Sequence, residues 1–167
     1  VIGSFVNQEI NGAEFLNFGG DGRYTGDGND LFLGESGNDT LIGNDNDDIL
    51  FGGKGKDTLD GGSGIDTFIL KSGDGGDNKD AADEIKDFEI GTDKIGLINL
   101  EFGQFTFQEF RRRSGFFSST TDTAIIANSE FLALVEDTTI EELLKPDYFV
   151  AIDEEELRIG YLVVGSW

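Results

Sequence analysis

TGDGNDLFL (25–33), GESGNDTLI (34–42), GNDNDDILF (43–51), GGKGKDTLD (52–60) and GGSGIDTFI (61–69) are five consecutive blocks of nine residues, and their shared phase decides the fold. The sixth place is Asp every time: Asp30, Asp39, Asp48, Asp57 and Asp66. Two residues later stands a large apolar side chain, namely Phe32, Leu41, Leu50, Leu59 and Phe68. Gly holds the first place as Gly34, Gly43, Gly52 and Gly61, and the fourth as Gly28, Gly37, Gly55 and Gly64. The last two blocks add Gly53 and Gly62. A flexible Gly/Asp linker has no reason to keep an acid and an apolar residue in fixed phase, so the repeat is structural.

Each place in the block has a physical task. Glycine tolerates positive φ, so the first six residues can turn tightly and aim carbonyl oxygens inward. Asn44 and Asn46 stand where two glycines would, and Asn tolerates the same left-handed backbone. The last three residues suit a short strand whose middle side chain enters a core while its neighbours point outward. Turn plus strand, repeated, predicts a flattened coil in which blocks of like parity stack about 4.8 Å apart. Asp30 then lies over Asp48 and Asp48 over Asp66, while Asp39 lies over Asp57 on the opposite edge. Carboxylates that close repel unless a cation lies between them.

Composition points the same way. Of 167 residues, 34 are Asp or Glu and 12 are Lys or Arg, for a net charge of −22, and there is no His or Cys. Such acidity opposes binding to nucleic acid or an anionic bilayer and makes cations the expected partners. Without His and Cys, thiolate nucleophiles, imidazole bases and the usual zinc, copper and iron ligands are excluded. Carboxylates and carbonyls remain, the ligands of Ca2+ and Mg2+. No apolar run reaches the roughly 18 residues that a membrane span needs.

Candidate ligands are the five Asp residues with the turn positions Gly28, Gly34, Gly37, Gly43, Asn44, Asn46, Gly52, Gly53, Gly55, Gly61, Gly62 and Gly64. Asp21 continues the ladder upstream, with Arg23 where a core residue belongs, so 16–24 reads as a degenerate end turn. Stacking predicts roughly three to four Ca2+ sites.

These blocks resemble the RTX (hemolysin-type calcium-binding) repeat, GGxGxDxUx, most closely at 52–60 and 61–69. The resemblance implies a right-handed parallel β-roll with Ca2+ between successive turns, secretion, and folding on meeting calcium outside the cell. Asp83-Glu84-Ile85-Lys86-Asp87-Phe88 and Gly91-Thr92-Asp93-Lys94-Ile95-Gly96-Leu97 resemble the DxIxDFxxGxDxIxL segment that follows such repeats. The acidic loop 71–83 is read either as closing the last site or as solvated acid.

The flanks suggest three regions: an N-terminal flank (1–24), the roll (25–70) and a β-rich α+β cap (71–167), mainly all-β overall. Leu31, Leu33, Ile49, Phe51 and Ile69 point away from the inner core and want a cover, supplied either by the chain's own flanks or by a partner or second copy. The other face, with Thr40, Ile42, Thr58 and Asp60, can meet water. In the cap, Thr106 to Glu109 has capping-box spacing for a helical turn, and Thr138 with Glu141 starts a helix running to Leu144. Strands are expected at Thr123–Ala127, Phe131–Val135 and Tyr148–Ile152. Arg111-Arg112-Arg113 is expected to neutralise nearby acids, or else to bind an acidic polysaccharide or the acidic loop of a neighbouring molecule. The tail resembles the ends of type I secretion substrates, although Leu157 to Val164 would also serve as a last strand. The start at Val1, with no basic n-region and no Met in the chain, suggests a processed product or a piece of a longer one.

The function expected is a secreted or surface-associated structural module that folds on binding Ca2+. The runner-up is the C-terminal calcium-dependent module of a larger exoenzyme, of the RTX protease or lipase class. A carboxylate-only glycosidase is a weaker third, because ligand duty already accounts for the spaced Asp residues.

Overall fold

A nine-residue step sends each strand to the sheet opposite its predecessor, and the whole coil follows from that alternation. The structure is a computed structural model that describes residues 8–11, 15–19, 23–113 and 119–158. Among these, β1 (Gln8–Asn11), β3 (Arg23–Asp27), β5 (Thr40–Asp45), β7 (Thr58–Ser63) and β9 (Asp83–Ile85) pair in parallel within one sheet. The second sheet takes β2 (Phe15–Gly19), β4 (Leu31–Ser36), β6 (Ile49–Phe51), β8 (Thr67–Lys71), β10 (Lys94–Ile98) and β14 (Phe149–Ala151), all parallel. The first sheet continues past β9 through β13 (Glu130–Val135), β12 (Ser119–Ala127) and β11 (Phe105–Arg113), ending antiparallel. The fold is thus mainly β, with one parallel and one mixed sheet.

The eighth residue of each block builds the core between the sheets. Phe32, Leu41, Leu50, Leu59 and Phe68 are all fully buried. Ile85 continues the row in register with Leu59, and Ile95 in register with Phe68, although the nine-residue rhythm has ended. Val135 and Phe149 carry the two rows onward. The core therefore runs without a break from the repeats into the downstream strands, and Phe88 and Tyr148 join it edge to face at 5.9 Å.

Upstream, β1 to β3 extend both sheets beyond the repeats. Here the expected register is corrected: Tyr24, not Arg23, pairs with Leu41. The step from Tyr24 to Phe32 is eight residues rather than nine, because the turn before β4 is one residue shorter.

The outward apolar side chains are covered by the chain itself. Leu33, Ile49, Phe51 and Ile69 are at most 8% exposed and form a second cluster with Ile98 and with Leu157 of α2 (Glu154–Arg158). Leu31 and Ile152 pack at its margin. Of the two covers expected for Leu31, Leu33, Ile49, Phe51 and Ile69, the chain's own flanks or a partner or second copy, the structure shows the first. Leu157 is helical rather than the start of a strand, with the Asp153 carboxylate accepting from the Glu155 amide at 2.8 Å. The remainder of the tail lies outside the described residues.

Two local readings also change. Thr106 to Glu109 is not a helical turn but part of β11, because Phe105 and Phe107 alternate with polar residues and a strand face is what they can bury. With Phe102 and Phe149 they form a half-buried ring cluster, the closest centroids 4.7 Å apart. The short helix α1 (Ile140–Leu143) starts one residue later than expected, capped by Thr139 and Glu142. Arg112 does neutralise acids, lying 2.9 Å from Glu136, 3.1 Å from Asp137 and 3.4 Å from Asp122. No described helix is long and apolar enough to cross a membrane.

Candidate metal centre

Each block turns tightly and delivers its Asp to the start of a strand, where the next block of like parity covers it. All five Asp residues are at most 2% exposed. They form two ladders. On one edge the Asp30 amide donates to Oδ1 of Asp48 at 2.7 Å, and the Asp48 amide donates to Oδ1 of Asp66 at 2.9 Å. On the other, the Asp39 amide donates to Oδ1 of Asp57 at 2.7 Å. One oxygen of each accepting carboxylate is thereby fixed by the layer before it.

The second oxygens of Asp48 and Asp66 are buried without a hydrogen-bond partner. An ionised carboxylate cannot be left so without cost, so these atoms call for a positive group. The turn around them is shaped for one. A Cβ built at Gly43 would fall on both Oδ2 of Asp48 and the carbonyl oxygen of Gly61. At Gly34 it would lie 2.8 Å from Oδ2 of Asp39 and 2.5 Å from the carbonyl oxygen of Gly52. Carboxylate and carbonyl oxygens from two stacked turns thus converge beside Gly34 and Gly43, and Gly52 and Gly61 lie against the carboxylates of Asp57 and Asp66. Such an all-oxygen donor set fits a hard divalent cation.

Electrostatics agree. Burial pushes Asp48 up to about 8, against the Asp30 amide and aided by the charges of Asp66, Asp30 and Asp47. Burial likewise raises Asp66 to about 7, with Asp93, Asp87 and Asp47 adding to it. Without a cation, the ladder holds protons at pH values where an ordinary Asp has lost them.

The remaining predicted positions serve the turns. Gly28, Gly37, Gly53, Gly55, Gly62 and Gly64 have positive φ, as do Asn44 (77°) and Asn46 (82°) in their places. At Gly55 this matters doubly, because a Cβ would collide with the carbonyl oxygen of Gly37. The amides of Gly61 and Gly62 donate to the two oxygens of Asp87 at 3.0 and 2.5 Å. Asp21 lies outside the described residues.

Two acids outside the repeats belong to the same system. The Asp57 amide donates to Oδ1 of Asp83 at 2.9 Å, and the Asp66 amide donates to Oδ1 of Asp93 at 3.0 Å, so both ladders gain a rung. Burial and the Asp57 charge push Asp83 well above the usual carboxylate range, and burial raises Asp93 to about 6. Both sit in Asp-x-Ile steps, Asp83-Glu84-Ile85 and Asp93-Lys94-Ile95, the same acid-to-core spacing as in the repeat. That spacing was the available signal. Loop acid Asp74 instead lies near Lys71 and Lys54, with burial raising its carboxyl. Among the described residues no group of three or more acidic side chains clusters as a metal site.

A family model described as the RTX calcium-binding nonapeptide repeat, in four copies, matches residues 24–59 and 33–68. No curated protein matches the chain. Among solved structures the chain is similar to the AlgE6R3 subunit of the mannuronan C5-epimerase from Azotobacter vinelandii, with 23% identity, 90% of this chain and 81% of that one covered, and a TM-score of 0.33. A TM-score that low bears on neither fold nor function. Paired Asp ladders, convergent carbonyls and the family match together identify residues 24–68 as an RTX-type calcium-binding nonapeptide repeat region.

Proposed function

We propose that the chain is a right-handed parallel β-roll that folds on binding Ca2+ and works outside the cell as a secreted or surface-associated structural and assembly module. In this reading 25–70 is the roll, 1–24 its flank and 71–167 its cap. The observation that carries it is the pair of unpartnered buried oxygens, Oδ2 of Asp48 and Asp66, set within a ladder of stacked carboxylates.

The residues that would hold calcium are the pairs Asp30 and Asp48, Asp48 and Asp66, and Asp39 and Asp57, with the glycine carbonyls between them. Asp83 and Asp93 extend the set. Bound Ca2+ supplies the positive charge that lets facing carboxylates stay ionised. Without it, stacked Asp residues and a net charge of −22 oppose compaction, and the 25 glycines make ordering costly. Binding free energy thereby becomes folding free energy. Extracellular calcium modules have Kd values of about 10⁻⁴–10⁻³ M, a range that leaves the chain loose in a low-calcium cytosol and folded outside.

Far-UV circular dichroism tests this, with a titration from chelator to about 10 mM Ca2+ and Mg2+ as control. The expected outcome is a cooperative gain of β signal with Ca2+ alone, shifted to higher concentration in Asp48→Ala. A chelated protein whose spectrum equals that of the calcium-loaded one refutes folding by calcium.

A further inference from the structure

The fifth place of the repeat, which the sequence pattern treats as variable, is occupied by Asn29, Asn38, Asp47, Lys56 and Ile65. In the structure its first three occupants share one task. The Lys56 amide donates to Oδ1 of Asn38 at 2.9 Å, and the Ile65 amide donates to Oδ1 of Asp47 at 2.8 Å. A longer bond of 3.4 Å runs from the Asp47 amide to Oδ1 of Asn29. Every one of these bonds joins a turn to the turn stacked on it, 18 residues on.

Their direction is opposite to that of the Asp ladder. Asp57 reaches back to the Asp39 amide, while Asn38, next to Asp39, reaches forward to the amide of Lys56, next to Asp57. Asp66 and Asp47 clasp the following pair of turns in the same way. The two stacked turns are thus tied at adjacent residues by reciprocal side-chain bonds, and the gap between their carboxylates is set by the protein. Neither Lys56 nor Ile65 has an acceptor to offer the layer above. Lys56 pairs with Glu84 at 2.6 Å, and the side chain of Ile65 is left half in solvent. The two gaps closed by Asp83 and Asp93 therefore have the Asp bond without the forward one.

We propose that Asn29, Asn38 and Asp47 are positioning residues of the cation sites, holding the distance between stacked Asp residues in the folded turns. The inference rests on the calcium reading above. Each such bond stabilises the folded, ion-holding state and so raises the apparent affinity of a chain that folds on binding. Removing one such bond should weaken calcium binding by roughly three- to tenfold, the range expected of one net hydrogen bond.

The test uses the full chain and four proteins: wild type, Asn38→Ala, Asn38→Asp, which keeps an acceptor, and Ile65→Ala, whose side chain makes no such bond. Calcium midpoints come from circular dichroism, and inner-sphere waters from Tb3+ luminescence decay in H2O and D2O. Expected are a raised midpoint and added Tb3+ hydration in Asn38→Ala, with Asn38→Asp and Ile65→Ala close to wild type. The proposal is overturned if Asn38→Ala titrates like wild type, if it melts earlier at saturating calcium with no change in midpoint or hydration, or if Asn38→Asp is as weak as Asn38→Ala. A wild-type protein indifferent to calcium overturns the calcium reading as well.

Discussion

Asp48 shows at the residue scale why this chain and a cation belong together. Its Oδ1 is satisfied by the Asp30 amide, its Oδ2 is not satisfied, and burial raises its pKa to about 8. The pH dependence of the metal-free fold follows from the sign of that shift. Unfolded Asp loses its proton near its ordinary 3.8, whereas folded Asp48 and Asp66 hold theirs to about 8 and 7. Between those limits the folded state binds more protons than the unfolded one, so stability of the chelated protein falls as pH rises. Glu84 works in the opposite sense, since Lys56 and Lys86 outweigh its burial and hold it below its ordinary 4.5. Its contribution is lost only on acidification below that value. The far-UV β signal in chelator should therefore be larger at pH 5 than at pH 8, and an equal or smaller one would show that the buried acids do not retain their protons.

Elements here are cheap to specify and depend on their neighbours for stability. A three-residue strand such as β6 has no independent existence, but its Leu50 is fully buried between Phe32 and Phe68 in register. Ile85 matters equally in β9, because it stands between Leu59 and Val135 and joins the repeats to the downstream strands. Leu50→Ala and Ile85→Ala should each cost about 2–5 kcal/mol, as buried aliphatic truncations do. Denaturant titration at saturating calcium measures this, and a much smaller loss at Ile85 would show that the downstream strands are not part of the same core. Salt bridges across the same junction, Lys86 with Glu84 and Glu136, are partly exposed and carry much less.

For the molecule as a whole, the net charge of −22 is the dominant long-range term. Monovalent salt screens that repulsion and also weakens attraction for divalent ions. Raising NaCl should therefore compact the chelated chain, read as a smaller radius of gyration by X-ray scattering, while moving the calcium midpoint upward. A radius that grows or stays constant would mean that charge repulsion does not hold the metal-free chain open.

Spacing alone carried most of the repeat region. Asp at the sixth place and an apolar residue at the eighth are local facts, and a period of nine leaves a strand-and-turn coil as the way to satisfy both. Phe32 to Phe68 as core, and Asp30 to Asp66 as stacked carboxylates, were legible for that reason. Tyr24 in place of Arg23 was not, because shortening one turn by a residue shifts register and only strand pairing reveals it. β11 was not, because capping-box spacing is a weak local preference that a partner strand overrides. Asp83 and Asp93 as ladder rungs, Asn38 and Asp47 as clasps, and Leu157 as cover depend on residues 18 or more apart in the chain. Periodicity determines what each block presents. Which distant residue meets it is decided by tertiary stacking, since hydrogen bonds and burial act through space and leave no fixed interval in the chain.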